Sequence, residues 1–180
     1  MKEQYSLLAI PSSSISRLIF KQRGKVFSKI GVPFKSQHVP PHITLFDFTL
    51  PAGKSKEVTD ISIPLCNIPC FKNLITGPVS TFEKSGTLFL PVEKGKEIID
   101  FRTRLIKELR NKFPALKRNM SISSVLHLTI GRSFNKQDLD IAESELNVFH
   151  EPEISHINEL QLMLELSGKM KLFHTFNLNC

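Results

Sequence analysis

The sequence predicts strands and helices arranged as two similar units that face one cleft. Three observations predict it. Strand-length apolar runs are interspersed with stretches of helical period. The order strand, helix, His-x-Thr strand occurs twice. A length of 180 residues, 41% of them hydrophobic, suits one domain or two small lobes sharing a core.

The elements follow in order. Tyr5–Ile10 is a short apolar run closed by Pro11, as in a buried strand. A serine among Ser12–Ser14 caps the first helix, whose apolar face is Ile15, Leu18, Ile19, Val26 and Ile30. Gly31 is its C′ residue, and Lys21, Arg23, Lys25 and Lys29 lie mostly off the apolar face. A proline-bearing loop then leads into a strand over Pro41–Leu50. Pro51–Asp60 reads as a loop or one weak helical turn. Ile61–Cys70 reads as extended, with its prolines placing it at an edge.

Strands over Phe71–Phe82 and Thr87–Val92 flank a turn at Glu83–Gly86. Gly95–Phe113 is the second long helix, with Ile98, Phe101, Leu105 and Leu109 on its core face. After a basic, then serine-rich link comes the strand LHLTIGR, Leu126–Arg132. Asn135 caps a third helix over Lys136–Asn147, with Leu139, Ala142 and Leu146 facing inward. Ile154–Leu166 and Met170–Leu178 form a closing hairpin.

The repeated order is the organising feature. Pro11 precedes His42 by 31 residues, and Pro91 precedes His127 by 36. Two such units can pack about a pseudo-twofold axis, with one His-x-Thr strand on each wall of the cleft. Strand alternation puts His42 beside Thr44 and His127 beside Thr129 on one face each. It also puts Phe46 and Phe48 on the His42 face, where they pack in the core or stack a base, and Asp47 on the opposite face.

Two imidazoles on one cleft suit general acid–base chemistry near neutral pH. The threonine hydroxyls are placed to hydrogen-bond phosphoryl oxygens, and Arg132 adds a fixed cation suited to phosphate. No Asp, Glu or Cys joins the histidine faces, so no metal site is expected. Neither a Gly-x-Ser-x-Gly elbow nor a Gly-rich phosphate loop occurs. The remaining histidines, His38, His150, His156 and His174, read as ordinary surface or core residues.

The totals constrain partners. Twenty-four Lys and Arg against 17 Asp and Glu leave a net charge of +7, which favours an anionic partner, with modest clusters at Arg102–Arg110 and Lys117–Arg118. Cys66, Cys70 and Cys180 complete no zinc pattern and are read as reduced thiols, hence a cytoplasmic location. The N-terminal pattern predicts no signal sequence, and no apolar run is long enough to span a bilayer.

PHITL at Pro41–Leu45 and HLTIGR at His127–Arg132 resemble the paired motifs of the 2H phosphoesterase superfamily, in its 2′-5′ RNA ligase and cyclic phosphodiesterase branch. Gly77–Glu93 is similar to that family's middle hairpin. The resemblance implies an α+β, bilobal fold spanning 1–180 as a single domain. Its two pseudo-symmetric lobes would be mainly antiparallel sheet, with outer helices and a central cleft. It implies cofactor-free, metal-independent cleavage of 2′,3′-cyclic phosphates or 2′-5′ linkages in RNA or oligonucleotides, with reverse ligation by the same chemistry. His42 and His127 would be the acid–base pair, Thr44 and Thr129 would hold the phosphate, and Arg132 would help bind it. The protein would act as a monomer on RNA, an oligonucleotide or a cyclic nucleotide. Hydrolysis of a cyclic oligonucleotide messenger, or non-catalytic RNA or nucleotide binding in the same cleft, are the alternatives. The stretch LFDFTLP (Leu45–Pro51) departs from the family pattern, with Asp47 where an aromatic is usual.

Overall fold

The computed structural model describes residues 2–75, 78–146, 153–167 and 169–179. The strands are β1 (Lys2–Ile10), β2 (Ile43–Pro51), β3 (Phe71–Ile75), β4 (Ser80–Phe82), β5 (Thr87–Pro91), β6 (Met120–Ser121), β7 (His127–Gly131), β8 (Glu153–Ile157), β9 (Glu159–Leu166) and β10 (Lys169–Asn177). The helices are α1 (Ser13–Ile30), α2 (Ser55–Cys66), α3 (Lys96–Lys112) and α4 (Lys136–Leu146). The protein is α+β, with antiparallel pairing throughout its named strands.

The main sheet runs β10-β9-β1-β2-β7-β5-β4, with β6 also paired to β2. Two half-sheets meet at its centre. β1 and β2 share a long register, whereas β2 and β7 register only at Ile43 and Leu128. On each side of this seam a strand, a helix and an antiparallel partner strand follow in order: β1-α1-β2 and β5-α3-β7. The repeat read from the sequence is thus a repeat of topology, but its two histidine strands lie side by side in one sheet rather than on opposite walls of a cleft. β3 and β8 form a separate two-stranded sheet.

The helices pack across the halves. α1 leaves β1 but packs on β7 and α4, and α2 packs with α3. Gly31 ends α1 at φ 75°, donating its N–H to Phe27 at 2.8 Å, the predicted left-handed stop. Ser12 holds the N-cap position, but its hydroxyl meets Ser14 rather than a backbone amide. The α3 face of Ile98, Phe101, Leu105 and Leu109 is buried as read. Asn135 accepts the Asp138 N–H at 2.8 Å and so caps α4; the last predicted residue, Asn147, lies outside the described residues.

Three elements differ. The runs Phe71–Phe82 and Ile154–Leu166, each read as continuous, divide into β3 with β4 and β8 with β9, whose members lie in different sheets. Ser55–Cys66 is a helix, not a loop followed by an extended segment. Its buried residues, Ser55, Val58, Thr59, Ser62 and Cys66, recur three and four apart, yet hydroxyl side chains carry most of that period. Thr59 and Ser62 donate to the carbonyls of Ser55 and Val58, at 3.1 and 2.7 Å, and so satisfy themselves within the helix. Pro64 sits in the last turn, where its missing N–H releases only the carbonyl of exposed Asp60.

Phe134 closes the turn after β7. Its N–H bonds the carbonyl of Gly86, at 3.0 Å, and its ring covers Gly131. A Cβ on Gly131 would run into that ring. Gly131→Ala is therefore expected to lower unfolding free energy by about 1–3 kcal/mol through overpacking. Urea denaturation at unchanged m-value measures this; an unaltered midpoint would show that the ring moves aside freely.

Candidate active site

The site is built at the seam. Antiparallel pairing of Ile43 with Leu128 sets Thr44 across from His127 and His42 across from Thr129. Ile43 and Leu128 are fully buried, while the four polar residues are half-buried on the opposite side of the strands. Two aliphatics thus anchor the strands, and two His-x-Thr pairs share one face about a local pseudo-twofold axis.

Both imidazoles are oriented in the same way. His42 Nδ1–H donates to the Pro40 carbonyl at 2.8 Å, and His127 Nδ1–H donates to the Val125 carbonyl at 3.1 Å. A carbonyl only accepts, so each Nδ1 must carry the proton, and each neutral ring leaves Nε2 as its lone-pair nitrogen. Burial lowers both pKa values from the usual 6.5. The carbonyl bonds oppose this shift. The charges of Arg23, His127 and Arg132 add to it at His42, and that of Arg132 adds to it at His127. Arg132 is exposed beside the site, its backbone N–H tied to the Lys35 carbonyl at 3.1 Å.

Arg23 is the residue that sequence reasoning misplaced. It is not off the packed face of α1 but 2% exposed. Its guanidinium donates to the carbonyls of Ile130 (3.0 Å), Thr129 (2.8 Å) and Val39. Burial without a carboxylate lowers its pKa to about 10. Registered pairing between β2 and β7 stops at one residue pair, so carbonyls past it need another donor. Arg23 follows Ile19 by four, and that spacing was the available clue.

A bulge corrects two further expectations. Leu8 pairs with Thr44 and Leu7 with Phe46, so β2 carries one extra residue at Leu45. Alternation changes phase there. Phe46 and Phe48 turn into the core, where Phe48 stacks on Tyr5 at 5.0 Å, and neither reaches the cleft as a base platform. Asp47 instead joins the Thr44 face, accepting from Ser6 Oγ at 2.5 Å. An aromatic stack does lie beside His127, on other residues. Phe82 stacks on Phe89 at 4.2 Å, and both rings contact His127. Phe89 is buried and Phe82 is 37% exposed. The alternation of TLFLPV was the only hint of Phe89, and nothing local marked Phe82.

The other histidines stay apart from these contacts. His38 and His156 are exposed, His174 packs edge-on to Phe176, and His150 lies outside the described residues. Among the described residues no three His, Cys, Asp or Glu side chains converge as a metal site, and no helix is long and apolar enough to cross a membrane. The reading of three reduced thiols is corrected. Cys66 is a free, buried thiol whose pKa burial pushes up to about 12, but Cys70 is disulfide-bonded. Cys180 lies outside the described residues.

The family model of the 2′-5′ RNA ligase superfamily matches residues 29–169. The chain belongs to that superfamily. Curated proteins offer no sequence match to this superfamily member. Solved structures share its 2H phosphoesterase fold. Escherichia coli LigT complexed with NADP+ superposes at a TM-score of 0.67, with 14% identity over 99% of each chain. The same protein complexed with 3′-AMP gives 0.66 and 15% over the whole of both chains. TT0787 of Thermus thermophilus gives 0.65 and 13%, covering 98% of this chain and 97% of its own.

The depressed histidine pKa values make stability depend on pH. Unfolded imidazoles bind protons first as pH falls, so stability is full above about 6.5 and is lost as pH drops towards the lower folded values. Denaturation at pH 7 and pH 5 should show this loss, and a His42→Gln/His127→Gln double variant should flatten it. An equal loss in the variant would trace the effect to other groups.

Proposed function

We propose that this 2H phosphoesterase opens 2′,3′-cyclic phosphates or cuts 2′-5′ linkages of RNA and oligonucleotides, without a metal, by His–His general acid–base catalysis. The observation that carries the reading is the matched pair of Nδ1–carbonyl bonds, which leaves two Nε2 atoms for one cleft. One neutral Nε2 takes a proton from water as its oxygen bonds to phosphorus. The other ring, protonated, gives its proton to the departing 2′ or 3′ oxygen as the P–O bond breaks. A phosphomonoester and a free hydroxyl result. With a 5′-hydroxyl in place of water the same pair forms a 2′-5′ linkage as the 3′ oxygen departs with the proton, and the reverse step, 3′-hydroxyl attack with loss of the 5′ oxygen, cuts that linkage and restores the cyclic phosphate.

Thr44 and Thr129 hydroxyls donate to the non-bridging oxygens, and Arg132 balances their charge. Free enzyme with two depressed pKa values holds both rings neutral near pH 7. The phosphate's negative charge then favours the imidazolium that the leaving group needs. Phe82 offers its exposed face to a base, on a stack braced by Phe89. The nucleotides bound by LigT, 3′-AMP and NADP+, support a nucleotide substrate. In this reading residues 1–180 work as one domain, as a monomer and without a cofactor.

The test is a screen of 2′,3′-cyclic mononucleotides, 2′-5′ oligonucleotides and 3′-5′ cyclic oligonucleotides. Turnover of the first two should follow a bell-shaped pH profile and persist in EDTA. His42→Ala and His127→Ala should each lower kcat by roughly 10²–10⁴-fold. Two single variants that stay active would remove the assignment, and loss of turnover on chelation would remove the metal-free mechanism. Turnover confined to 3′-5′ cyclic oligonucleotides would move the site to messenger hydrolysis. Binding with no turnover of any substrate would make the protein a non-catalytic nucleotide binder. Phe82→Ala should raise KM about tenfold with little change in kcat; an unchanged KM would place the base elsewhere.

A further inference from the structure

Away from the histidines, α3 and the chain leading to β7 enclose a groove of about 510 Å³. Arg102, Lys107 and Arg110 line it from α3, Lys117 from the turn that follows, and Ile106 and Ile122 supply apolar surface. Arg102 and Arg110 stand eight residues apart on one helix, roughly 12 Å along its axis. The groove is therefore an elongated cationic track rather than a point site.

Its charges have no counter-charge within the fold. Among the described residues none of the four cations is in an ion pair, and no carboxylate lines the groove. One turn before it, on the same helix, Lys96 pairs with Asp100 at 2.9 Å. The Arg110 Nε–H is closed off from solvent and has no acceptor. Like charges held together without counter-charge repel one another, and a multivalent anion removes that cost.

One short chain segment links the groove to the strand that carries His127. Arg102 donates to the Ser123 carbonyl at 3.2 Å, and two residues later the Val125 carbonyl holds His127. No more than about 18 Å of chain separates Ile122 on the groove from His127 in the cleft.

We propose that this groove binds the phosphate backbone of an RNA strand whose reactive end lies between His42 and His127. The preferred substrate is then an oligonucleotide several residues long, not a mononucleotide. The proposal rests on the reading of the cleft given above and adds a substrate class to it.

Fluorescence anisotropy tests it without requiring turnover. The probe is a labelled 12-nucleotide RNA ending in a 2′,3′-cyclic phosphate, with a 2′,3′-cyclic mononucleotide as competitor. The wild type should bind the 12-mer at least tenfold more tightly than the mononucleotide. Lys107→Gln/Arg110→Gln/Lys117→Gln should lose most of that advantage. Its slope of log affinity against log salt should also be shallower by about 2, at about 0.7 per cation on a single strand. Arg102 is left intact because it also holds the Ser123 loop. Lys107→Gln/Lys117→Gln, which spares the half-buried Arg110, should give about two-thirds of the slope change and guards against misfolding of the triple variant.

A wild type that turns over the mononucleotide yet binds the 12-mer no more tightly overturns the groove and leaves the cleft standing. An inactive protein whose 12-mer affinity still drops in the variants overturns the cleft and leaves the groove as an RNA track. Polyglutamate of equal charge binding as tightly as RNA overturns the assignment to RNA.

Discussion

Ile43 against Leu128 is the contact on which the rest depends. It is the one registered residue pair between the two histidine strands, with β6 pairing further along β2, and it sets where both histidines stand. So short a register provides few ladder hydrogen bonds of its own. Neighbouring groups supply the remainder: α1 crosses from its own half to pack on β7, and Arg23 ties Thr129 and Ile130 to the Val39 loop that leads to His42. A charged side chain is buried there without an anion, and its stability comes from three oriented carbonyls. The same guanidinium contributes to holding His42 neutral, so support and electrostatics are set by one residue.

Arg23, Arg132 and the two imidazoles make the histidine face a place where positive charge accumulates but protons do not. Burial and neighbouring cations both disfavour imidazolium. In the proposed reading, a phosphate bound there offsets the contribution of the cations. The proton inventory of the site is therefore a property of the complex more than of the free protein.

Much of this was legible in the sequence, for a definable reason. The paired His-x-Thr strands, the repeated order and the faces of α1, α3 and α4 all rest on local period, and local period survives folding here. What escaped detection lacked that signature. α2 hides its period in hydroxyl residues, and its late proline mimics an edge strand. The extra residue at Leu45 can be recognised only against β1, because a bulge is a relation between two strands. Phe82 reaches His127 through pairing between β4 and β5. The disulfide at Cys70 depends on proximity that spacing does not disclose. Apart from α2, the errors concern tertiary relations, and those at Arg23, Leu45 and Phe82 fall around the site because the site is where two halves meet.

The seam also orders events during synthesis. About 85 residues separate Ile43 from Leu128, so closing this contact carries the entropy of a long loop and follows the local elements. Until β6 and β7 emerge, β2 is an unpaired edge with an apolar face, open to pairing with other chains. Asp47 and the prolines before His42 stand where charge and missing amides discourage that pairing. The residue that breaks the family's aromatic pattern thus has a use before there is any cleft for it to face.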